Sequence, residues 1–381
     1  MQSITIDFLI RSLGQGGAER QLVLLASGMA RRGHRVRIVT FYRGGHFERE
    51  AVARGLEVTS LDKGGRWDVL HSARALRRET RERAPDALLS YMGGANILAA
   101  LVAPFGRCAT IWGIRSANVD LSKYGWLSVV SHRVEVGLAT MADLIIVNSE
   151  AGREHARRAG FPAGRMAVVE NGFECEKWRF DSAAGARFRA SIGVAPATPL
   201  VGIVGRLDPI KGHEAFLRAA RRLAARRADA HFVVVGADPG SRRSELEALA
   251  RSLGVSAQCH WVRSSSDLVP AYSALQLIVS ASTSEGFPNV VAEAMACGVR
   301  PVVTDVGDSA RVVGRCGWVV PSGDAAALGD ALLVALDPAA ASLPDPAAHI
   351  ETSFGVERLV DRTEELVRGV VDRRRASWSR R

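Results

Sequence analysis

Two carboxylates and two cations stand out in this chain by their spacing. Glu285 and Glu293 bracket Glu285-Gly286-Phe287-Pro288-Asn289-Val290-Val291-Ala292-Glu293, and Arg206 and Lys211 bracket Arg206-Leu207-Asp208-Pro209-Ile210-Lys211. An arginine fork beside a lysine point charge can neutralise a diphosphate without a metal. Carboxylates accept from the hydroxyls of a sugar or a ribose. The four together describe a ligand that is both phosphorylated and hydroxyl-rich, as a nucleotide sugar is. Either acid taken alone reads as well as a solvated loop or helix residue, so the pairing with the cations matters. Lysine is scarce: Lys63, Lys123, Lys177 and Lys211 are the lysines among 50 basic residues, which sets Lys211 apart from an arginine-rich background.

These side chains need strands and helices to place them. Leu275 to Val279 is a short apolar run of the kind buried in a parallel sheet, stopped by a Ser/Thr cluster and by Gly286. Pro288 suits a first helical position, Val290, Val291, Ala294 and Met295 repeat at helical spacing, and Gly298 is placed to end the helix. Glu285 then stands in the loop at a strand's carboxyl end and Glu293 about one turn inside the helix, with free helix N–H groups between them as an anion site. Pro199 to Gly205 predicts another strand, followed by the Arg206 and Lys211 loop and a helix from near Gly212. In a doubly wound sheet, strand carboxyl ends collect on one side, so both loops can share a crevice.

With both stretches in view, the segment Glu285 to Glu293 resembles the paired-acid signature of the family 4 retaining glycosyltransferases of GT-B fold. Gly205-Arg206-Leu207-Asp208-Pro209-Ile210-Lys211-Gly212 is similar to their diphosphate loop. The resemblance implies two doubly wound, Rossmann-like α/β domains facing a central cleft. It implies catalytic roles for Glu285, Arg206 and Lys211: the two cations hold the donor diphosphate, Glu285 the donor sugar and Glu293 the ribose. The backbone of Gly286, Phe287, Pro288, Asn289 and Val290 would cradle sugar and phosphate. Retention at the anomeric carbon is likewise an implication of the family.

The length of 381 residues suits two domains, and 47% hydrophobic with 24% charged residues is a globular composition. No apolar run reaches the roughly 18 residues needed to span a bilayer. Asp7 interrupts what would otherwise be a signal-peptide core, so secretion is not expected. The five cysteines show no Cys-x-x-Cys spacing, which favours a reducing compartment and packing roles. The net charge of +10 is uneven: residues 1 to 180 hold 26 Lys and Arg against 18 Asp and Glu, leaving 24 against 22. An anionic membrane surface or a pyrophosphate-linked acceptor would be drawn to the first half, although arginine-rich solvated helices explain the excess as well. The basic helices lack interleaved aromatics, and nucleic acid is not an expected partner.

Along the chain, Ile4 to Ile10, Arg35 to Phe41, Ala87 to Tyr91, Cys108 to Trp112 and Asp143 to Ser149 read as strands of the first domain. Leu13-Gly14-Gln15-Gly16-Gly17-Ala18-Glu19-Arg20 forms the first turn. Glu19 stands where a dinucleotide fingerprint needs its third glycine, which demotes an NAD reading. Gly16 and Gly17 fit either a tight turn or a group approaching a helix N-terminus. The Gly-Gly-Ala-Glu-Arg opening resembles the subset that builds surface polysaccharides or lipid-linked oligosaccharides, where it faces the donor phosphates. Many relatives carry a histidine in the loop Gly113-Ile114-Arg115-Ser116; none stands here, Arg115 is the candidate for phosphate or acceptor, and any catalytic histidine is unassigned. His132 reads as structural. Arg263 stands where relatives often carry a glycine near the base pocket.

The domains are expected at 1 to 175 (acceptor side), 176 to 355 (nucleotide-sugar side) and 356 to 381, a helix packing back on the first domain with a frayed arginine tail. Residues 175 to 198 read as the crossing between them. The function expected is transfer of a sugar, most simply from a UDP-sugar, to a hydroxyl acceptor such as a lipid-linked or polysaccharide saccharide, in the cytoplasm or peripherally on the inner membrane face. No cofactor is expected beyond the cosubstrate, and the absence of Asp-x-Asp argues against an obligate metal. The alternatives are a nucleotide-sugar epimerase, which turns over without acceptor, and a non-catalytic nucleotide-sugar binder, which the missing histidine would suit.

Overall fold

A computed structural model describes residues 2–14, 16–65, 67–103, 108–115, 125–238, 240–338 and 342–378. The chain forms two compact units, Met1–Gly172 with Val356–Arg381, and Phe173–Gly355.

The first unit holds a seven-stranded sheet of β1 (Thr5–Ile10), β2 (Arg35–Thr40), β3 (Glu57–Ser60), β4 (Ala87–Tyr91), β5 (Ala109–Ile114), β6 (Leu144–Val147) and β7 (Met166–Val168), in spatial order β3-β2-β1-β4-β5-β6-β7. All pairs are parallel. Parallel strands need helical crossovers, so both faces of the sheet are covered. Ile6, Phe8 and Ile10 face one apolar cluster and Leu9 the other, the period-two consequence of that double burial. Asp7, on this same strand, is fully buried and neutralised by Arg37 at 2.6 Å and Arg83 at 3.2 Å.

The second unit holds a parallel sheet of β8 (Leu200–Val204), β9 (His231–Gly236), β10 (Cys259–Arg263), β11 (Leu277–Ser280), β12 (Arg300–Thr304) and β13 (Trp318–Val320), in order β10-β9-β8-β11-β12-β13. Val201 and Ile203 face one cluster, Leu200 and Val204 the other. In each sheet the strand order reverses once, between β1 and β4 and between β8 and β11. Loops at the carboxyl ends of such a pair splay to opposite faces and open a crevice.

Several local expectations are corrected. Residues Ser182–Ser191, within the stretch read as a crossing, form a helix whose N-cap Asp181 accepts from Ala184 N at 2.9 Å. Strand β5 starts at Ala109 and runs through Gly113 to Ile114, so its loop begins only at Arg115. Pro288 is the N-cap of the helix Asn289–Ala296, not its first residue. The final helix runs from Val356 to Trp378 through the arginines expected to fray. Arg374 reaches Asp143 at 2.9 Å and Arg375 reaches Asp86 at 2.6 Å, while Leu359, Val360, Val367, Val370 and Val371 lie in the first unit's core. Those ion-pair partners are far away in sequence, which is why the tail looked unsupported.

Candidate functional site

The second sheet's reversal point lies between β8 and β11, and Arg206, Lys211 and Glu285 all leave the sheet there. The loop after β8 turns at Asp208, whose side chain accepts from Ile210 N at 3.0 Å, and the single turn Pro209–Lys211 follows. Gly212 has φ +69, and a side chain there would drive into the Ala281 carbonyl. That glycine is what lets the two loops close on each other. Thr283 N donates to Ile210 O at 2.9 Å and stitches them together.

On this frame Lys211 Nζ donates to Glu285 Oε1 at 2.6 Å. Ser282 Oγ donates to the same oxygen at 2.7 Å, and Thr304 Oγ1 fixes the Ser282 carbonyl at 2.6 Å. The carboxylate side chain is only 10% exposed and the lysine 25%, so the pair sits in a recess with its geometry set before any ligand arrives. Arg206 is exposed, and its guanidinium has no partner among the described residues. Of the two cations on the loop after β8, Lys211 is therefore fixed by an ion pair and Arg206 is free among the described residues.

Gly286 and Asn289 hold the next turn. Gly286 O accepts from Asp308 N at 3.0 Å, and Gly307, at φ +58, lies so close that any side chain would strike the Glu285 and Gly286 carbonyls. The Phe287 ring points away into the core, 5.9 Å from Phe173 and 5.4 Å from Phe354, leaving only its backbone to the crevice. Asn289 N donates to Phe287 O and Val291 N to Pro288 O, whereas the N–H of Val290 has no acceptor among the described residues. The helix Asn289–Ala296 has no acid in its first turn, so its positive end is not neutralised from within. Glu293 is buried at 3% exposure and accepts from Tyr272 Oη at 2.9 Å.

Next to Leu207 is a pocket of about 240 Å³ walled by Val234, Gly236, Asp238, Trp261 and Arg263. His213, the first residue of the helix His213–Ala224, is 3% exposed, and burial, then Lys211 and Arg242, pull its pKa down to about 4. It is neutral at pH 7, so it adds no third charge beside Lys211. Sequence reasoning missed Ser282, Tyr272 and His213. Ser282 had a signal, a hydroxyl three residues before the acid in a Ser/Thr cluster, and His213 follows Lys211 by two residues; Tyr272 meets the site only through packing.

In the first unit, Gly16 is the N-cap of the helix Gly17–Arg31, whose first turn contains Glu19. A side chain on Gly16 would strike the Glu19 carboxyl, and burial pushes that carboxyl's pKa up. Gln15 lies outside the described residues. Arg115 donates to Asn171 Oδ1 at 3.1 Å and to Tyr91 Oη, with its guanidinium 4.3 Å from the Tyr91 ring centre. Ser116 is outside the described residues. His132 stands 3.8 Å from the buried Glu135 and 5.9 Å from the Phe161 ring, a packing position. Among the described residues, no group of three or more His, Cys, Asp or Glu could hold a metal.

Comparison with known proteins bears on this arrangement. Residues 15–177 match the family model described as Glycosyltransferase Family 4, and residues 198–337 that described as Glycosyl transferases group 1. The chain belongs to the family 4 glycosyltransferases. Anabaena HepE, solved with UDP, superposes with a TM-score of 0.83 at 22% identity, covering 96% of this chain and 100% of that one. Sucrose-phosphate synthase of Thermosynechococcus elongatus does so at 0.80 and 20%, covering 96% and 99%. The fold of this family 4 glycosyltransferase is thus GT-B, with two Rossmann-like domains. Curated relatives named D-inositol 3-phosphate glycosyltransferase match from Corynebacterium urealyticum (31% identical, 58% of each chain) and Rhodococcus jostii (34%, 44% of this chain and 38% of that one). The chain spans about half the length of the curated relatives it matches.

Proposed function

We propose that this chain transfers a sugar, with retention, from a UDP-sugar to a hydroxyl of a lipid-linked or surface-polysaccharide saccharide. The observation that carries the reading is the 2.6 Å pair of Lys211 and Glu285, which joins the loop after β8, where Arg206 is free among the described residues, to the loop after β11, which leads into the unacidified helix start at Asn289. Arg206 and Lys211 take the diphosphate, and the backbone from Gly286 to Val290 lies against it. Glu285 accepts from donor-sugar hydroxyls, and Glu293, through the polar end it shares with Tyr272, from the ribose. The pocket beside Leu207 is of a size for a base. As the bond from the anomeric carbon to the diphosphate breaks, charge builds on the departing oxygens, and two cations already in place stabilise it without reorganising. They do so without an obligate metal.

Gly16, Gly17 and Arg115 are the acceptor-side residues of this reading. A lipid-linked acceptor places the enzyme peripherally at the inner face of a membrane, which suits the excess of basic residues in the first half. The solved neighbour bound to UDP supports the choice of base, and the relatives' name supplies D-inositol 3-phosphate as a second acceptor to try. The test is incubation with UDP-glucose and either a polyprenyl-diphosphate-linked saccharide or D-inositol 3-phosphate, followed by NMR. Acceptor-dependent release of UDP with an unchanged anomeric configuration, unaffected by EDTA, is expected. Loss of turnover in EDTA would remove the metal-free mechanism, and turnover without acceptor would indicate an epimerase.

A further inference from the structure

The helix Val69–Arg83 of the first unit buries Ser72, Leu76 and Thr80, with Ala73 and Ala75 packed partly against the same core. Its opposite face is unusual. Trp67, just before the helix, is 76% exposed and Leu70 is 72% exposed, with Val69 at 39% beside them. Arg74, Arg77, Arg78 and Arg81 follow at steps of three and four residues, all exposed, which puts them in one row with Leu70. The row extends about 20 Å from Trp67 to Arg81. Arg74 and Arg81 make no ion pair among the described residues, and Arg78 has only a 3.9 Å approach to Glu79, which is itself engaged by Arg37 at 2.7 Å. Glu82 stands at the flank of the row, so the face itself is uniformly cationic.

We infer that this face docks on a lipid bilayer that contains anionic headgroups, with Trp67 and Leu70 entering the interface and the arginine row lying along the phosphates. A solvated helix face accounts for the arginines but not for two adjacent large apolar side chains more than seven-tenths exposed. Tryptophan prefers the headgroup level, and an amphipathic helix rich in arginine with Trp and Leu at its edge has the composition of an interfacial helix. A nucleic-acid surface would call for aromatics interleaved with the cations, whereas here the apolar residues sit together at one end. The docking face stands on its own chemistry. Its use, bringing the enzyme to a lipid-linked acceptor, rests on the reading above.

The test is sedimentation of the full chain with vesicles of phosphatidylcholine alone or with one-third phosphatidylglycerol, at low and high salt. Binding to the anionic vesicles, weakened by salt, is expected. Arg74→Gln with Arg81→Gln should weaken it about 30-fold, from roughly 1 kcal/mol per arginine at the surface. Trp67→Ala with Leu70→Ala should weaken it at least about tenfold, from the apolar area withdrawn from the interface. Both variants should titrate UDP as the parent chain does, which separates a docking defect from a folding defect. Absence of binding by the parent chain, equal binding to neutral vesicles, or unchanged binding by either variant would overturn the inference. Since no transfer is measured, a wrong acceptor leaves these outcomes unaffected.

Discussion

The two sheets reverse strand order in the same way, yet the two reversal points are chemically opposite. Between β1 and β4, the helix that starts at Gly17 supplies its own acid, Glu19, and the nearby cation Arg115 is held by Tyr91 and Asn171. Between β8 and β11, the helix that starts at Asn289 has no first-turn acid, and Arg206 has no partner among the described residues. At the first point the cation is tied by hydrogen bonds to uncharged side chains and the helix start has its own acid; at the second Lys211 is paired with Glu285, while Arg206 and the helix start have positive charge to offer. Equal folds thus do not make equal sites; the residues placed on the loops decide which crevice can receive an anion.

The sharpest way to break that contrast is to remove one cation from each side. Lys211→Ala should lower kcat for sugar transfer about 100- to 1,000-fold, the usual cost of losing a preorganised electrostatic donor. Arg115→Ala should leave UDP affinity unchanged and raise the KM for the acceptor. If Arg115→Ala weakened UDP as much as Lys211→Ala weakens transfer, the two points would not differ as described.

A second prediction uses pH. Free histidine titrates near 6.5, whereas His213 is held at about 4 by burial, then by Lys211 and Arg242. Its lowered pKa means that the unfolded chain takes up this proton first, so the stability it contributes is full above about pH 6.5 and lost as pH falls towards 4. The expected loss is about 3 kcal/mol, and His213→Asn should flatten that part of the curve in chemical denaturation across pH 4 to 7. An identical pH profile in the variant would show that His213 does not stay neutral next to Lys211.

Much of this was legible in the sequence and some was not. The strand ending at Gly205, the turn at Gly286 and the helix closed by Gly298 follow from apolar runs and glycine positions, and the reversal rule then brings Arg206 and Glu285 to one edge. The helix Ser182–Ser191 was missed because its alanine- and arginine-rich sequence has little apolar periodicity and its start depends on the cap at Asp181. The contacts of Ser282 with Glu285 and of Tyr272 with Glu293 differ in kind. The first is local and could be guessed, while the second joins residues 21 apart through the packed core. The dense ties of Arg374 and Arg375 to Asp143 and Asp86 were invisible for the same reason.

A smaller effect sharpens the comparison from the first unit's side. Arg115→Ala removes one partner of Asn171 and the donor to the buried Tyr91 hydroxyl, and should cost about 1 to 3 kcal/mol in thermal or urea unfolding. Arg206→Ala, which breaks no contact among the described residues, should leave stability within about 0.5 kcal/mol of the parent. A reversed order of these two would mean that Arg206 is structural and Arg115 is the free cation.

The central claim is that the crevice between β8 and β11 grips a nucleoside diphosphate. Calorimetric titration of the full chain with UDP tests it most directly. The account predicts binding that falls at least about tenfold in Arg206→Ala and again in the double variant with Lys211→Ala, since each removes a charge-assisted contact. UDP bound as tightly by the double variant as by the parent chain would contradict it.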